Sequence, residues 1–303
     1  MWALLLLTYL GILVFAVFVA RKAARYASAP MHLRWELYPI PHEVGKEYGG
    51  SFMEEPDWWA KPRHNSLVGE LRGMLPEMLF MVALWHHNRK LWYLSYPFHG
   101  GIYLVVGFIA LLVIGAIAQA AGAPVANSAD PLWAALQGLT VVVGAIGMLS
   151  VTVGSLGLLL NRLGNEEIRR YSVPADYFNL VFILVIALSG LYAWLTADPS
   201  FVQLRAFVQG ALTFSPPAAL PAPTVAQLTL FALLLLYMPF THMTHFVGKW
   251  FTYHTVRWDD ATNDKGAYDR YLATLLNRPV GWSGPHIATG KTWVQVATQE
   301  VEK

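Results

Sequence analysis

An all-α membrane protein with five transmembrane helices in a bundle, its N-terminus outside, is the fold class this sequence predicts. Three observations lead there. The 303 residues are 55% hydrophobic with a mean hydropathy of +0.41, and only 13% are charged, where a soluble domain carries roughly a quarter. Five unbroken apolar runs, at residues 2–20, 100–121, 132–160, 177–197 and 224–251, each reach the ~20 residues a helix needs to cross a bilayer core. Twenty of the 21 Lys and Arg residues fall in segments 21–96, 161–173 and 249–303, whereas the opposite loops, 122–131 and 198–223, hold only Arg205. The positive-inside rule makes the basic side cytoplasmic. A strand barrel is excluded, because its segments would be ~10 residues long and alternate in polarity.

Taken in order, the first run (residues 1–20) has no positive charge before it, and Arg21, Lys22 and Arg25 follow it directly. That pattern reads as an anchor rather than a cleavable signal. Residues 21–96 form a cytoplasmic segment punctuated by Pro30, Pro39, Pro41, Pro56 and Pro62, so 30–64 should be largely irregular. Residues 70–88 predict a helix too short to span, lying along the inner interface. Pro97 is expected to start the second spanning helix, a favoured first-turn position. Residues 97–251 are the four-helix bundle. Trp2, Trp133 and Trp194 mark the outer membrane interface, and Trp85, Trp92 and Trp250 the inner one. The loop 198–223 is rich in Pro and Ala and poor in functional side chains. The cytoplasmic tail, 252–303, has a helical pattern over 268–276 before Pro279, Gly281, Gly284 and Pro285 break it.

Several function classes drop out. No internal repeat and no charge deep in any span disfavour a transporter. Cysteine is absent, so the chain can hold neither a covalently attached c-type haem nor an iron–sulfur cluster. The basic residues are dispersed and no nucleic-acid-binding motif is present, so nucleic acid is not a partner.

The spans carry three histidines at one membrane face: His99 at the start of the second, His242 and His245 near the end of the fifth. Imidazole at membrane depth marks a candidate site. From Thr224 to His245 an unbroken helix would run ~31 Å, which places His245 at about the depth of His99 on an antiparallel helix. Two imidazoles so placed suit the axial positions of a bis-histidine haem. The alternative is a pair of interfacial histidines bonded to carbonyls or water. Gly100, Gly101, Gly107, Gly144, Gly147, Gly154 and Gly157 make room for a ring, or for ordinary close helix packing in lipid. Arg89, Arg162, Arg169, Arg170 and Lys249 are cations for haem propionates, or charges that set topology. His87 (or His86) and His254 offer a second pair toward the cytoplasm, or are surface residues. His32, His42, His64 and His286 lie in loops without metal-ligand spacing, as solvated or structural residues.

The run Pro239-Phe240-Thr241-His242-Met243-Thr244-His245, with Ser95-Tyr96-Pro97-Phe98-His99-Gly100, resembles the gamma subunit of respiratory nitrate reductase, a five-helix cytochrome b. The resemblance implies haem b with His99 and His245 as the inner axial ligands and His242 at a non-ligand position. That family ligates a second haem near the outer face, at positions that are Ile109 and Gln227 here. No histidine lies in the outer half of the membrane, so a conventional outer bis-histidine haem is excluded.

The segments His32-Leu33-Arg34-Trp35-Glu36-Leu37-Tyr38-Pro39, Pro41-His42-Glu43, Asn88-Arg89-Lys90-Leu91-Trp92 and Arg257-Trp258-Asp259-Asp260 resemble a narrower branch. These are the membrane cytochromes DsrM and TmcC of sulfate-reducing prokaryotes. That resemblance implies a prokaryotic cytoplasmic membrane and a cytoplasmic iron–sulfur partner of heterodisulfide-reductase type. It also implies a periplasmic multihaem cytochrome c. The expected function is electron transfer between menaquinone, or that cytochrome c, and the iron–sulfur subunit. The quinone is expected between the second, third and fifth spans. The alternative is a haem-free membrane anchor that recruits a cytoplasmic redox enzyme.

Overall fold

The structure, a computed structural model, describes all residues except 30–33, 39, 47–49, 127, 261–266, 285–289 and 299–303, and leaves out the side chains of 267 and 268. His32, Leu33, His286, Pro30, Pro39 and Pro285, singled out above, lie outside the described residues. Twelve α-helices are present among those described: α1 Trp2–Ala27, α2 Leu67–Phe80, α3 Val82–His87, α4 Arg89–Ala120, α5 Pro131–Gly164, α6 Glu166–Arg170, α7 Pro174–Thr196, α8 Val202–Thr213, α9 Ala222–Tyr237, α10 His245–Phe251, α11 Ala267–Leu276 and α12 Trp293–Thr298. Among the described residues, five stretches are long and apolar enough to cross a membrane: α1, α4, α5, α7 and Ala222–Phe240. The chain divides into a bundle unit, residues 1–21 and 71–244, and a second unit, residues 22–70 and 245–303.

In lipid, apolar side chains gain little by leaving their solvent for a neighbouring helix, so the bundle relies on close van der Waals approach. The tightest approach is between α4 and α5. A Cβ added at Gly154 would stand 2.3 Å from the Phe98 backbone nitrogen, and one at Gly101 would stand 2.6 Å from that of Val151. Only hydrogen fits at either point. The buried hydroxyls on α5 are satisfied within the helix, Ser155 Oγ by the Val151 carbonyl at 2.6 Å and Thr140 Oγ1 by Leu136 at 2.6 Å, as backbone capture by Ser and Thr allows. α1 joins the bundle through Leu4 and Leu5, packed with Phe207 and Leu228. Its Tyr9 hydroxyl donates to the Ala211 carbonyl at 2.5 Å.

Four sequence expectations are corrected. Pro97 does not start the second span; it lies inside α4, which begins at Arg89. Asn88 supplies the start, its Oδ1 accepting from the Leu91 amide at 3.1 Å. The helix expected over 70–88 is two helices, broken at Met81 in the left-handed region (φ 51°). Side chains of α4 take up carbonyls near the end of α2: Trp92 Nε1 donates to Phe80 O at 2.8 Å and Tyr103 Oη to Met78 O at 2.6 Å. The fifth apolar run is not one helix either. α9 ends at Tyr237, and 3₁₀ turns Met238–Phe240 and His242–Thr244 follow, separated by extended Thr241 (φ −115°, ψ 173°). Pro239 has no amide hydrogen to continue the ladder, and Thr241 Oγ1 donates to the Met238 carbonyl at 2.9 Å and accepts from the Met243 amide at 3.1 Å. The segment 198–223, expected as a loop, is helical over its first half: it contains α8, which buries Phe207 and Arg205.

The second unit is held by polar contacts. The Trp35 and Glu36 amides donate to the Val256 and Arg257 carbonyls, each at 3.0 Å. Arg34 lies buried against Glu43 (2.5 Å) and the Ser51 hydroxyl (3.2 Å). α10 passes into a π-helical turn, Thr252–Arg257. The tail helix expected over 268–276 is α11.

Gly154→Leu is expected to force α4 and α5 apart, at a cost of at least the ~1–3 kcal/mol of an overpacked core. The measurement is the thermal unfolding midpoint in detergent. Gly164→Ala, whose Cβ would meet nothing within 4 Å, should leave that midpoint unchanged.

Candidate functional site

His99 sits on α4 next to Phe98, whose backbone is pressed on Gly154, so its position along the bundle is set by the helix crossing. Its Nδ1 lies 2.9 Å from the Ser95 carbonyl and 3.2 Å from the Ser95 hydroxyl. A carbonyl only accepts, so Nδ1 carries a proton in this contact, and Nε2 is the nitrogen through which a metal would be ligated. An axial imidazole is oriented in this way, by a backbone acceptor on its other nitrogen. The donor chemistry therefore fits a haem ligand. In the sequence Ser95 enters only as part of the run ending in His99 and Gly100, with no role given to it; its signal is the spacing of four residues, one helical turn.

His245 is the first residue of α10 and is exposed. It follows Thr244, which is buried with Oγ1 donating to the Thr241 carbonyl at 3.0 Å. The helix break at Pro239 thus ends immediately before the second candidate ligand. His99 belongs to the bundle unit and His245 to the second unit.

The other candidates have distinct surroundings. His242 Nε2 stands 3.9 Å from Asp176 Oδ1, and the other oxygen of Asp176 is 3.2 Å from Arg162, which donates to the Ser172 hydroxyl at 2.7 Å. His254 stacks on Trp250, with ring centroids 3.8 Å apart, and donates from Nδ1 to the Trp250 carbonyl at 2.9 Å. Its Nε2 is 3.5 Å from Glu70 Oε2. His86 and His87 are exposed at the end of α3. Arg89 lies over the Trp85 ring at 4.7 Å, and Arg170 pairs with Glu166 at 2.6 Å on the surface of α6. Among the described residues, no group of three or more His, Cys, Asp or Glu is placed to hold a metal ion. A bis-imidazole haem asks only two ligands of the protein.

His42, read from sequence as a loop residue, is buried at 3% exposure. Its Nε2 is 3.3 Å from Asp260 Oδ2 and its Nδ1 is 3.9 Å from Glu70 Oε1. Burial pushes the Asp260 carboxyl upward, but the bond from His42 and the charges of His42 and Arg63 outweigh it and hold Asp260 below the usual carboxylate range.

At the other end of the bundle, the positions of Ile109 and Gln227 are filled by protein. Ile109 packs against the Phe108, Leu112, Met148 and Phe201 cluster. The Gln227 carbonyl accepts from the Ser189 hydroxyl, and its amide would meet a Cβ at Gly190 at 3.1 Å. The cavity beside Phe108, Met148, Phe201, Thr224 and Gln227 has a volume of about 40 Å³, room for a few waters.

The sequence profile of the nitrate reductase gamma subunit matches residues 83–259, well over half of the chain and including every histidine discussed as a candidate ligand. The chain belongs to the nitrate reductase gamma subunit family. Within this gamma-subunit match lie the Ser95–His99 turn, the α4–α5 crossing and the broken fifth helix. The chain is also 34% identical over 91 residues to the Hdr-like menaquinol oxidoreductase cytochrome b-like subunit of Archaeoglobus profundus, across 28% of this chain and 26% of that relative. It thus covers about a quarter of that relative's length.

The lowered pKa of Asp260 carries a definite sign. Its stabilisation is full above the ordinary aspartate value of about 3.9 and is lost as pH falls through the lower folded value. Protection of the Trp35 and Glu36 amides from hydrogen exchange is therefore expected to fall on acidification below about pH 4. In Asp260→Ala it should already be reduced severalfold at neutral pH.

Proposed function

We propose that this chain is the haem b membrane subunit of a quinone-linked electron-transfer complex, with His99 and His245 as axial ligands of a single haem. The observation that carries the reading is the Nδ1 contact of His99 with the Ser95 carbonyl at 2.9 Å, in a chain of the gamma subunit family. The bound haem supplies one-electron redox chemistry; the protein supplies ligation, the imidazole tautomer and an apolar wall. Arg89 and Arg170 are the cations offered to the propionates. Arg170 is exposed, and its i,i+4 partner Glu166 is a surface pair released at little cost.

A second haem on His87 and His254 is the less economical arrangement. His254 already has Nδ1 on the Trp250 carbonyl and Nε2 facing Glu70, and would have to give up the latter contact.

The name of the Archaeoglobus relative supports menaquinone as the membrane substrate and a heterodisulfide-reductase-like cytoplasmic partner with the iron–sulfur clusters this chain has no cysteines to hold. Basic residues on one side of the spans support N-terminus-outside topology in the cytoplasmic membrane. Trp258 is buried within the second unit, but Trp35, Leu37, Tyr38 and Trp59 are exposed there, Trp35 at 71% and Tyr38 at 81%. Large aromatics left open on a polar unit suit the core of a docking interface. A periplasmic cytochrome c is the alternative electron donor.

A reduced-minus-oxidised spectrum with a haem-to-protein ratio tests the reading. One haem per chain is expected, with His99→Ala and His245→Ala each abolishing the b-type α-band. A chain without Soret absorbance would instead be a haem-free anchor, and a ratio of two would restore the second pair.

A further inference from the structure

Where α7 meets the end of α9, the bundle unit buries a polar pair that the reading above does not use. Asn179 on α7 is only 4% exposed. Its side-chain carbonyl accepts from the Tyr237 hydroxyl at 2.9 Å, while its Nδ2 is buried with no hydrogen-bond partner among the described residues. Turning the amide end for end does not remove the deficit. Asn brings two N–H donors and Tyr one, so a donor is idle in either orientation. A buried amide without an acceptor is destabilising, which makes the pair a site for a ligand that accepts hydrogen bonds.

The flanking residues say what kind. The Tyr237 ring is met edge-on by Phe178 (centroids 5.3 Å, 78°) and Phe182 (6.0 Å, 72°), and Phe178 is exposed on the face of a helix long and apolar enough to span a membrane. The aromatic surface around Tyr237 suits an apolar planar ring, and the idle N–H of Asn179 suits a ring that carries acceptors. An oxidised quinone headgroup has that character: a flat ring with two carbonyl acceptors and no donors. We propose that a membrane quinone headgroup binds between α7 and α9, its carbonyl oxygen accepting from Asn179 Nδ2 and its ring packed on Phe178, Phe182 and Tyr237. This rests on the quinone-linked role proposed above, and it moves the headgroup from the second, third and fifth spans to the fourth and fifth. The site lies one helical turn from Asp176 and a few residues from His242, so it faces the same end of the bundle as that ionisable pair. Binding requires α9 to yield slightly beside Tyr237, and the chain beyond it is already out of α-helix, in the turns around Pro239.

The test is photoaffinity labelling of the full chain in detergent with an azido-menaquinone analogue, mapped by mass spectrometry. Label is expected on peptides covering α7 and α9, displaced by excess menaquinone. It should fall about fivefold in Asn179→Leu, the loss of one hydrogen bond, with Tyr237→Phe also reduced. Label confined to α4 and α5, or undiminished in a folded Asn179→Leu variant, would overturn the assignment. So would loss of haem without loss of label, which would make the amide a haem contact. Should the variants fail to fold, the label position in the unmodified chain decides alone. A haem-containing chain labelled elsewhere fails this inference and leaves the proposed function standing. A haem-free chain labelled at α7 and α9 does the reverse.

Discussion

Contact between α4 and α5 at Gly154 and Phe98 is the constraint on which the rest of the bundle depends. With no hydrophobic drive between helices in lipid, geometry comes from how near two backbones can come. Here a side chain as small as alanine would collide with a main-chain nitrogen. The contact lies one residue from His99 and one turn from Ser95. Backbone packing, rather than any side-chain network, thus determines where the imidazole stands along the helix. Ser95 then determines which nitrogen carries its proton.

Much of this was legible in the sequence, for a physical reason. A membrane span must be long, apolar and uncharged whatever it packs against, and the five runs declared themselves on that basis. The positions that misled were those where a local signal competes with its surroundings. Pro97 reads as a helix start, yet Asn88 caps the helix earlier and the proline is carried inside it. Pro239 lies inside the fifth apolar run, yet the Thr241 hydroxyl offers the backbone an alternative to the α ladder and the helix ends. Met81 gives no warning at all. Its left-handed conformation is accompanied by Trp92 and Tyr103 bonding to carbonyls of α2, contacts that no single-residue propensity encodes.

The candidate site divides in the same way. His99 and His245 stood out because imidazole is rare in spans. Ser95, Asp176 and Asn179 did not, being ordinary in type and meaningful only through partners brought by other turns or helices. Arg205 is a related case. As a lone basic residue in its loop it looked like a minor exception to the charge bias. Instead it is buried at 1% exposure, donates to the Gln137 side chain, and keeps Nε and Nη1 without partners among the described residues. Desolvation pushes its pKa down against the opposing influence of Asp198.

In the second unit, the π-helical turn Thr252–Arg257 has a consequence for chain register. A π turn accommodates an extra residue compared with an α turn, so the chain leaving it is rotated by about 100° from where an unbroken α-helix would point. Trp258, which donates to Glu36, and Asp260, which meets His42, follow directly. Their alignment with the segment that carries Glu36 and His42 is thus phased by one surplus residue. With an α turn in its place, both residues would face different partners.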